Sequence, residues 1–298
     1  DFLEMMYDNP SDVLSQCIRP AIIPSPGYKF VVADFSAIEA RVIAWFAGEQ
    51  WRLDVFNSHG KIYEASAAQM FKVPVESIHK GDPLRQKGKI AELALGYQGS
   101  VGALIQMGAL KMGLTEEELP DLVEQWRKAN PKIVKFWYDT EAAVMEAIVN
   151  KSTVRIGKYL KAIYQSGFLF IELPSGRRLA YVKPKVVDHD KFPGKQKIVY
   201  QEMNENTYQW EEVDTYGGKL VENIVQATAR DCLAYSMLQL DKAGYKIVMH
   251  VHDEIIVEIE EDRNELEIIT GIMEQEIPWA KGLPLRADGY ECFAYRKD

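Results

Sequence analysis

The segment KFVVADF, residues 29–35, runs directly into SAIEARVIAWFAGE, and this junction limits the possible folds more than any other feature of the chain. The first piece is short, β-branched and aromatic, which reads as a buried strand. The second repeats Ile38, Val42, Trp45 and Phe46 at helical spacing, with Ser36 at the N-cap, Glu39 at the capping-box position and Gly48 beyond the end. Strand, turn and helix in succession place Asp34 at the C-terminal end of a strand.

The rest of the chain extends this pattern. The opening DFLEMMYDNPSDVLSQCIRP reads as helix from the middle of a domain, and with a start at Asp1 rather than Met the chain is expected to be a piece of something longer. A helix pair fills about 51–80. Gly81-Asp82-Pro83 then supplies a break, an N-cap and an N1 proline for a helix over 83–95. Thr115 with Glu118 caps a helix reaching Ala129, and Asn130-Pro131 starts another reaching Val149. Beyond 150 come strands and turns, with Pro174-Ser175-Gly176 as a hairpin signal. Residues 185–216 are polar and read as a mobile excursion. A long helix over 217–243 precedes KIVMHVHDEIIVEIE, two strands meeting at Asp253-Glu254; a helix over 261–276 and a short strand close the chain. The fold class is α+β: one antiparallel or mixed sheet with a helical insertion after its first strand.

Composition excludes several alternatives. The chain has 298 residues, 47% of them hydrophobic, enough for about two domains with a real core. It holds no low-complexity tract, so disorder, collagen and coiled coil all fail. Three cysteines, Cys17, Cys232 and Cys292, lie far apart and make neither a disulfide framework nor a zinc knuckle. No apolar run approaches the ~18 residues of a membrane span, and the N-terminus has no signal pattern, so the protein is expected inside the cell, with no membrane partner. The formal charge of −9 argues against an anionic partner.

Certain residues stand out chemically. Asp34 and Asp253 each end an apolar strand, where a lone carboxylate is costly and a hard dication is an obvious compensation; unrelated turn aspartates are the plain alternative. Arg85, Lys89, Leu93 and Tyr97 follow one another at four-residue steps, and the two cations, ~6 Å apart along a helix, suit a polyphosphate, although a solvated basic edge has the same pattern. His250, His252 and Glu254 alternate on one strand face, which reads as a buried hydrogen-bonded pair or a weak zinc site.

In order, DFSAIEAR (34–41), RQKGKIAELALGY (85–97), ENIVQATARD (222–231) and HVHDE (250–254) make the chain resemble family A DNA polymerases, the bacterial DNA polymerase I group, and above all its phage-encoded branch. The resemblance covers about 20–290. It implies a polymerase palm in two parts, 1–48 and 151–298 with a catalytic hairpin at 246–259, and a helical fingers subdomain at 49–150. Nothing before Asp34 resembles a thumb, and exonuclease acids are missing, so those domains are expected outside this chain; a thumb carries much of a polymerase's basic surface, which answers the charge objection.

The resemblance also assigns roles. Asp34 and Asp253, with the Phe35 carbonyl, would hold two Mg²⁺ ions, with Mn²⁺ able to substitute, and Glu254 would be an accessory carboxylate. Arg85 and Lys89 would grip the dNTP triphosphate, Lys89 also donating a proton to pyrophosphate. Tyr97 would sit by the nascent pair. Glu39 would exclude a ribose 2′-OH, in competition with its capping-box role. Arg41, Gln226 and His252 would contact primer–template DNA. Leu93 stands where bacterial relatives have Phe or Tyr, Tyr63 where they have His, Glu222 where they have Asn and Gln98 where they have Gly.

The implied activity is template-directed addition of dNTPs to a primer 3′-OH in phage or prophage DNA replication, in the bacterial host cytoplasm, alongside an upstream thumb or exonuclease portion or accessory proteins. A single-subunit RNA polymerase is the enzymatic alternative, opposed by Glu39. A non-catalytic fragment binding primer–template or a partner subunit is the other.

Overall fold

The computed structural model describes residues 6, 9–190 and 192–296. Along it run α1 (Pro10–Ile18), β1 (Tyr28–Phe35), α2 (Ile38–Ala47), α3 (Gln50–Asn57), α4 (Ile62–Phe71), α5 (Pro83–Leu95), α6 (Val101–Gln106), α7 (Leu119–Ala129) and α8 (Pro131–Asn150). There follow β2 (Thr153–Ile156), β3 (Leu160–Gln165), β4 (Phe168–Glu172), β5 (Arg178–Asp188), β6 (Gln196–Met203), β7 (Trp210–Thr215), α9 (Gly217–Lys242), β8 (Lys246–Val251), β9 (Glu254–Glu260), α10 (Leu266–Met273) and β10 (Ala287–Cys292). Of the expected opening helix, α1 is seen; residues 1–5, 7 and 8 lie outside the described residues.

The fold is α+β, but its strands form two sheets where one was expected: a four-stranded sheet ordered β10-β1-β9-β8 and a six-stranded meander β2 to β7, both antiparallel. They belong to different compact units. One contains the chain up to Ile38, Ala229–Ile277 and the stretch from Leu285 on; the other contains Glu39–Thr228 and Pro278–Pro284. Residues 151–228 therefore group with the helices at 49–150 and not with the first sheet. The physical reason is α8, whose buried Val144, Ala147 and Ile148 belong to the helix against which β2, β3 and β5 pack. The polar excursion expected at 185–216 is instead ordered ladder, with β6 paired to both β5 and β7.

In the first unit, β1 is an inner strand buried almost throughout, which explains its unbroken apolar run. Phe30 and Val32 point to one face and pack with Ile256, Cys292 and Tyr295. Side chains alternate along a strand, so Asp34 comes next on that same face, at its end. On β10, Gly289 sits opposite Ala33; a Cβ there would lie 2.5 Å from the Val32 carbonyl oxygen and 2.9 Å from Leu266 at the start of α10. The helix expected over 261–276 is shorter, Leu266–Met273.

In the second unit, Trp126 and Trp137 stack with centroids 6.0 Å apart, and Leu119, Leu122 and Ile133 of the same two helices are buried as well. Glu92 of α5 is buried beside them and paired with Arg52; it also accepts from the Ser66 hydroxyl at 2.7 Å and the Trp126 Nε1–H at 3.0 Å. A buried ion pair is tolerable only when networked in this way. Helices α4 and α5 cross at Gly88, where a Cβ would come 2.2 Å from the Tyr63 carbonyl oxygen.

Candidate active site

The four-stranded sheet collects acids at one end. Asp34 on β1 lies directly opposite Glu254 on β9 and Asp288 on β10, so three carboxylates stand in a row on one face, on strands spaced about 4.8 Å apart. Asp253 comes from the two-residue turn His252-Asp253 that joins β8 to β9. Its carbonyl accepts the Phe35 N–H at 3.2 Å, tying the turn to the end of β1. The two sequence-predicted aspartates thus meet, with Asp253 in the turn itself rather than at a strand end.

Burial, followed by the charges of Asp253, Glu254 and Asp288, pushes the Asp34 carboxyl from its usual 3.8 up to about 6. Glu254 accepts a hydrogen bond from the Tyr295 hydroxyl, which burial and that bond push up to about 12, so this carboxylate is held by the core beneath it. Asp288 is the acid that sequence reasoning missed; it stands alone in ADGYEC, and only its place on the neighbouring strand gives it away.

Among the described residues no three His, Cys, Asp or Glu side chains close a cage around an ion. The donor set is nevertheless all hard oxygen, crowded with like charge, and suits a cation that takes its remaining ligands from water and substrate. Asp34, Asp253 and the Phe35 carbonyl are the groups that fit. The zinc reading of His250, His252 and Glu254 fails: His252 is in the turn, with φ +53°, and both histidines are exposed.

The second unit holds the basic helix. Asp82 caps α5 by accepting the Leu84 N–H at 2.7 Å, and the helix buries Gly88, Ile90, Ala91, Ala94 and Leu95. Lys89 and Leu93 lie on the opposite, exposed face. Lys89 has no hydrogen-bond or ionic partner among the described residues. Arg85, in contrast, is already engaged: its Nε donates to Glu64 at 2.7 Å and its guanidinium lies 5.5 Å from the Tyr63 ring centre.

Tyr97 follows the end of α5 and donates its hydroxyl to Glu39 Oε2 at 2.6 Å. Burial, the Glu39 charge and this bond hold the Tyr97 hydroxyl well above its usual pKa. The half of the expected capping box in which Glu39 accepts the Ser36 N–H is not made. Helix α2 starts at Ile38 after Ala37 at φ +52°, and the Ser36 N–H goes to the Arg286 carbonyl at 2.9 Å. Gln98, at φ +64°, accepts the Gly218 N–H at 2.8 Å, and Glu222 pairs with Lys219 at 3.1 Å.

Of the residues expected to touch DNA, Gln226 and His252 are exposed. Arg41 is not: at 2% exposure it lies 4.5 Å from the Phe56 ring centre and donates to the Pro284 carbonyl at 3.0 Å. Its position on α2 faces inward, which does not fit the expected DNA contact.

Comparison with known proteins adds to this geometry. The model of DNA polymerase family A matches residues 11–290. A DNA polymerase of Bacillus phage SP02 is 62% identical over 296 residues, covering 99% of this chain and 45% of the phage protein. The thermostable DNA polymerase I of Thermus aquaticus is 25% identical over 277 residues, covering 89% of this chain and 27% of that protein. Among solved structures, the POL domain of Pol1 from M. smegmatis, in complex with DNA primer-template and dNTP, superposes with a TM-score of 0.62 at 20% identity, covering 94% of this chain and 42% of the other. The chain thus spans less than half the length of these relatives. Among the described residues no helix is long and apolar enough to cross a membrane.

Proposed function

Because the chain belongs to DNA polymerase family A, we propose that it carries the nucleotide-joining part of a phage-type DNA polymerase: template-directed addition of dNTPs to a primer 3′-OH with release of pyrophosphate. The carrying observation is Asp34 set in register between Glu254 and Asp288, with Asp253 tied to the next residue of β1. Polymerases of this family use divalent metals. Here Asp34, Asp253 and the Phe35 carbonyl would hold Mg²⁺, or Mn²⁺ in its place. When bound, a pair of such ions stabilises the attacking and leaving oxygens of an in-line phosphoryl transfer.

The chain's own groups do the rest. The Asp34 carboxyl, near 6, is ionised at neutral pH and ready to act as a ligand. The exposed Lys89 ammonium meets triphosphate charge and protonates the departing pyrophosphate. Arg85 grips phosphate after exchanging Glu64 for it. Glu39, fixed by Tyr97, fills the space of a ribose 2′-OH. Helices 49–150 act as fingers, and closure of α5 over a correctly shaped pair selects the nucleotide. Gln226 and His252 contact primer–template DNA. The setting is phage DNA replication in the host cytoplasm, with a thumb or exonuclease portion or accessory proteins supplying further grip.

Primer extension by the chain with Mg²⁺ or Mn²⁺ tests this reading. Extension with dNTPs that is lost in Asp253→Ala is the expected result. Extension surviving in Asp253→Ala would overturn the metal assignment, and equal use of rNTPs would overturn the DNA assignment. Binding of primer–template with no extension at any protein concentration would leave a binding module instead.

A further inference from the structure

Strand β7 is the last of the six-stranded sheet: β6 pairs along one of its edges, and among the described strands none pairs along the other. Four of its six residues are exposed, on both faces. An open edge of this length is a template for another chain, and lysine, proline or a bulge usually guards it. None of these stands on β7. Instead, residues 198–216 hold five acids, Glu202, Glu205, Glu211, Glu212 and Asp214, and neither Lys nor Arg. Among the described residues only Glu212 of the five lies within ion-pair range of a cation, Lys185 at 3.5 Å. Lys197 of β6 also feels the charge of Asp214 and Glu212, but its ion pair is with Asp190 at 2.5 Å. Glu202 stands directly across the ladder from Glu211, a like-charge pair that costs stability until a cation joins it. Beside that pair Met203 faces Trp210, at 45% and 56% exposure. The hairpin tip between them is fixed: Asn204 Oδ1 accepts the Asn206 and Thr207 N–H at 2.9 and 3.1 Å, and its Nδ2 donates to Glu211 at 2.8 Å.

We propose that β7 takes up a basic, extended segment of another protein as a seventh strand of this sheet, its Lys or Arg side chains meeting Glu211 and Asp214 while an apolar one covers Trp210. Backbone hydrogen bonds along an open edge supply attraction, and side chains opposite the strand supply choice. The acids make that choice. A second copy of this chain is opposed, because two β7 edges set side by side put acid against acid. Nucleic acid is opposed by the same charge. A cationic strand instead neutralises the Glu202–Glu211 pair from one side and removes Trp210 from water. One added strand is a small interface, so the contact is transient. The proposal goes beyond the polymerase reading and does not rest on it.

Fluorescence anisotropy with the whole chain and an end-capped, fluorescein-labelled peptide of sequence TKVKKV is the test. Laid antiparallel on β7, this peptide sets a lysine opposite each of the three acids and a valine opposite Trp210 and Val213. It should bind, and the same peptide N-methylated at every residue, with equal charge but no strand hydrogen bonds, should not. Trp210→Ala should weaken binding about 5-fold or more, with Trp210→Phe restoring most of it. Reversal of all three acids, Glu211→Lys, Glu212→Lys and Asp214→Lys together, should exchange the preference from TKVKKV to TEVEEV by roughly 10-fold or more, a gain that no misfolded chain would show. Equal binding of the N-methylated peptide, or no exchange of preference in the reversed chain, overturns the proposal. A concentration-dependent dimer in sedimentation that Trp210→Ala dissolves also overturns it, and would give the edge to a second copy.

Discussion

The Tyr97 hydroxyl donates to Glu39 Oε2 at 2.6 Å, joining the turn after α5 to the first turn of α2. A carboxylate held at one oxygen keeps one position, and a steric gate depends on position. Tyr97→Phe keeps the ring and removes the anchor. A hydrogen bond to a charged group contributes about 1.5–3 kcal/mol, so discrimination between dNTP and rNTP should fall roughly 10- to 100-fold. The ratio of kcat/KM for the two sugars measures this; an unchanged ratio would show that Glu39 needs no support from Tyr97.

Arg85 and Glu64 form a second pair, and here the bond competes with the proposed function. Glu64→Gln keeps the shape and weakens the hold on the guanidinium, freeing it for phosphate. The KM for dNTP should drop by about 3- to 10-fold, in line with roughly 1 kcal/mol of released pairing. Steady-state extension at varied dNTP reads it. A raised KM would mean that Glu64 positions Arg85 instead of restraining it.

Gly88 is where α4 and α5 touch, and its missing Cβ is what lets them. Gly88→Ala would place a methyl 2.2 Å from the Tyr63 carbonyl oxygen, backbone that cannot swing aside. Overpacking of this kind costs about 1–3 kcal/mol. Gly102→Ala, in a helix with nothing within 4 Å of the added carbon, should instead gain up to about 1 kcal/mol. Urea unfolding of the two variants should therefore move in opposite directions.

Glu258 on β9 accepts from Lys246 and from the Ser25 N–H at 2.8 Å, and these bonds lower its pKa from the usual 4.5. A carboxyl depressed by folding adds stability above its unfolded value and loses it as pH falls through the lower, folded one. Stability should thus decline on acidification below about pH 4.5, and Glu258→Gln should flatten that limb. Thermal midpoints at descending pH check it; parallel curves for both proteins would assign the acid sensitivity elsewhere.

What the sequence disclosed follows the range of the interactions involved. The β1–α2 junction, the capped start of α5 and the β8–β9 hairpin were readable because each rests on neighbours a few residues apart. Asp288 escaped because its significance comes from lying across a ladder from Asp34, 254 positions earlier in the chain. The far part of the second sheet, β6 and β7, escaped for a related reason: β7 reads WEEVDT, with one buried residue, so its strand character comes from pairing with β6 and not from alternation. Arg41 was expected at DNA through the resemblance alone, whereas its position on α2 buries it 4.5 Å from the Phe56 ring centre. Glu64 went unnoticed because nothing local marks it as the partner of an arginine 21 residues on.

The turn joining β8 to β9 has two residues, and one of them must both close the hairpin and reach the end of β1. It works as a ruler. One residue more between Val251 and Glu254 would leave both strands zipped yet carry Asp253 off its mark beside Phe35. The geometry of this hairpin tip therefore tolerates a residue that accepts the left-handed φ of His252 far better than a change of length.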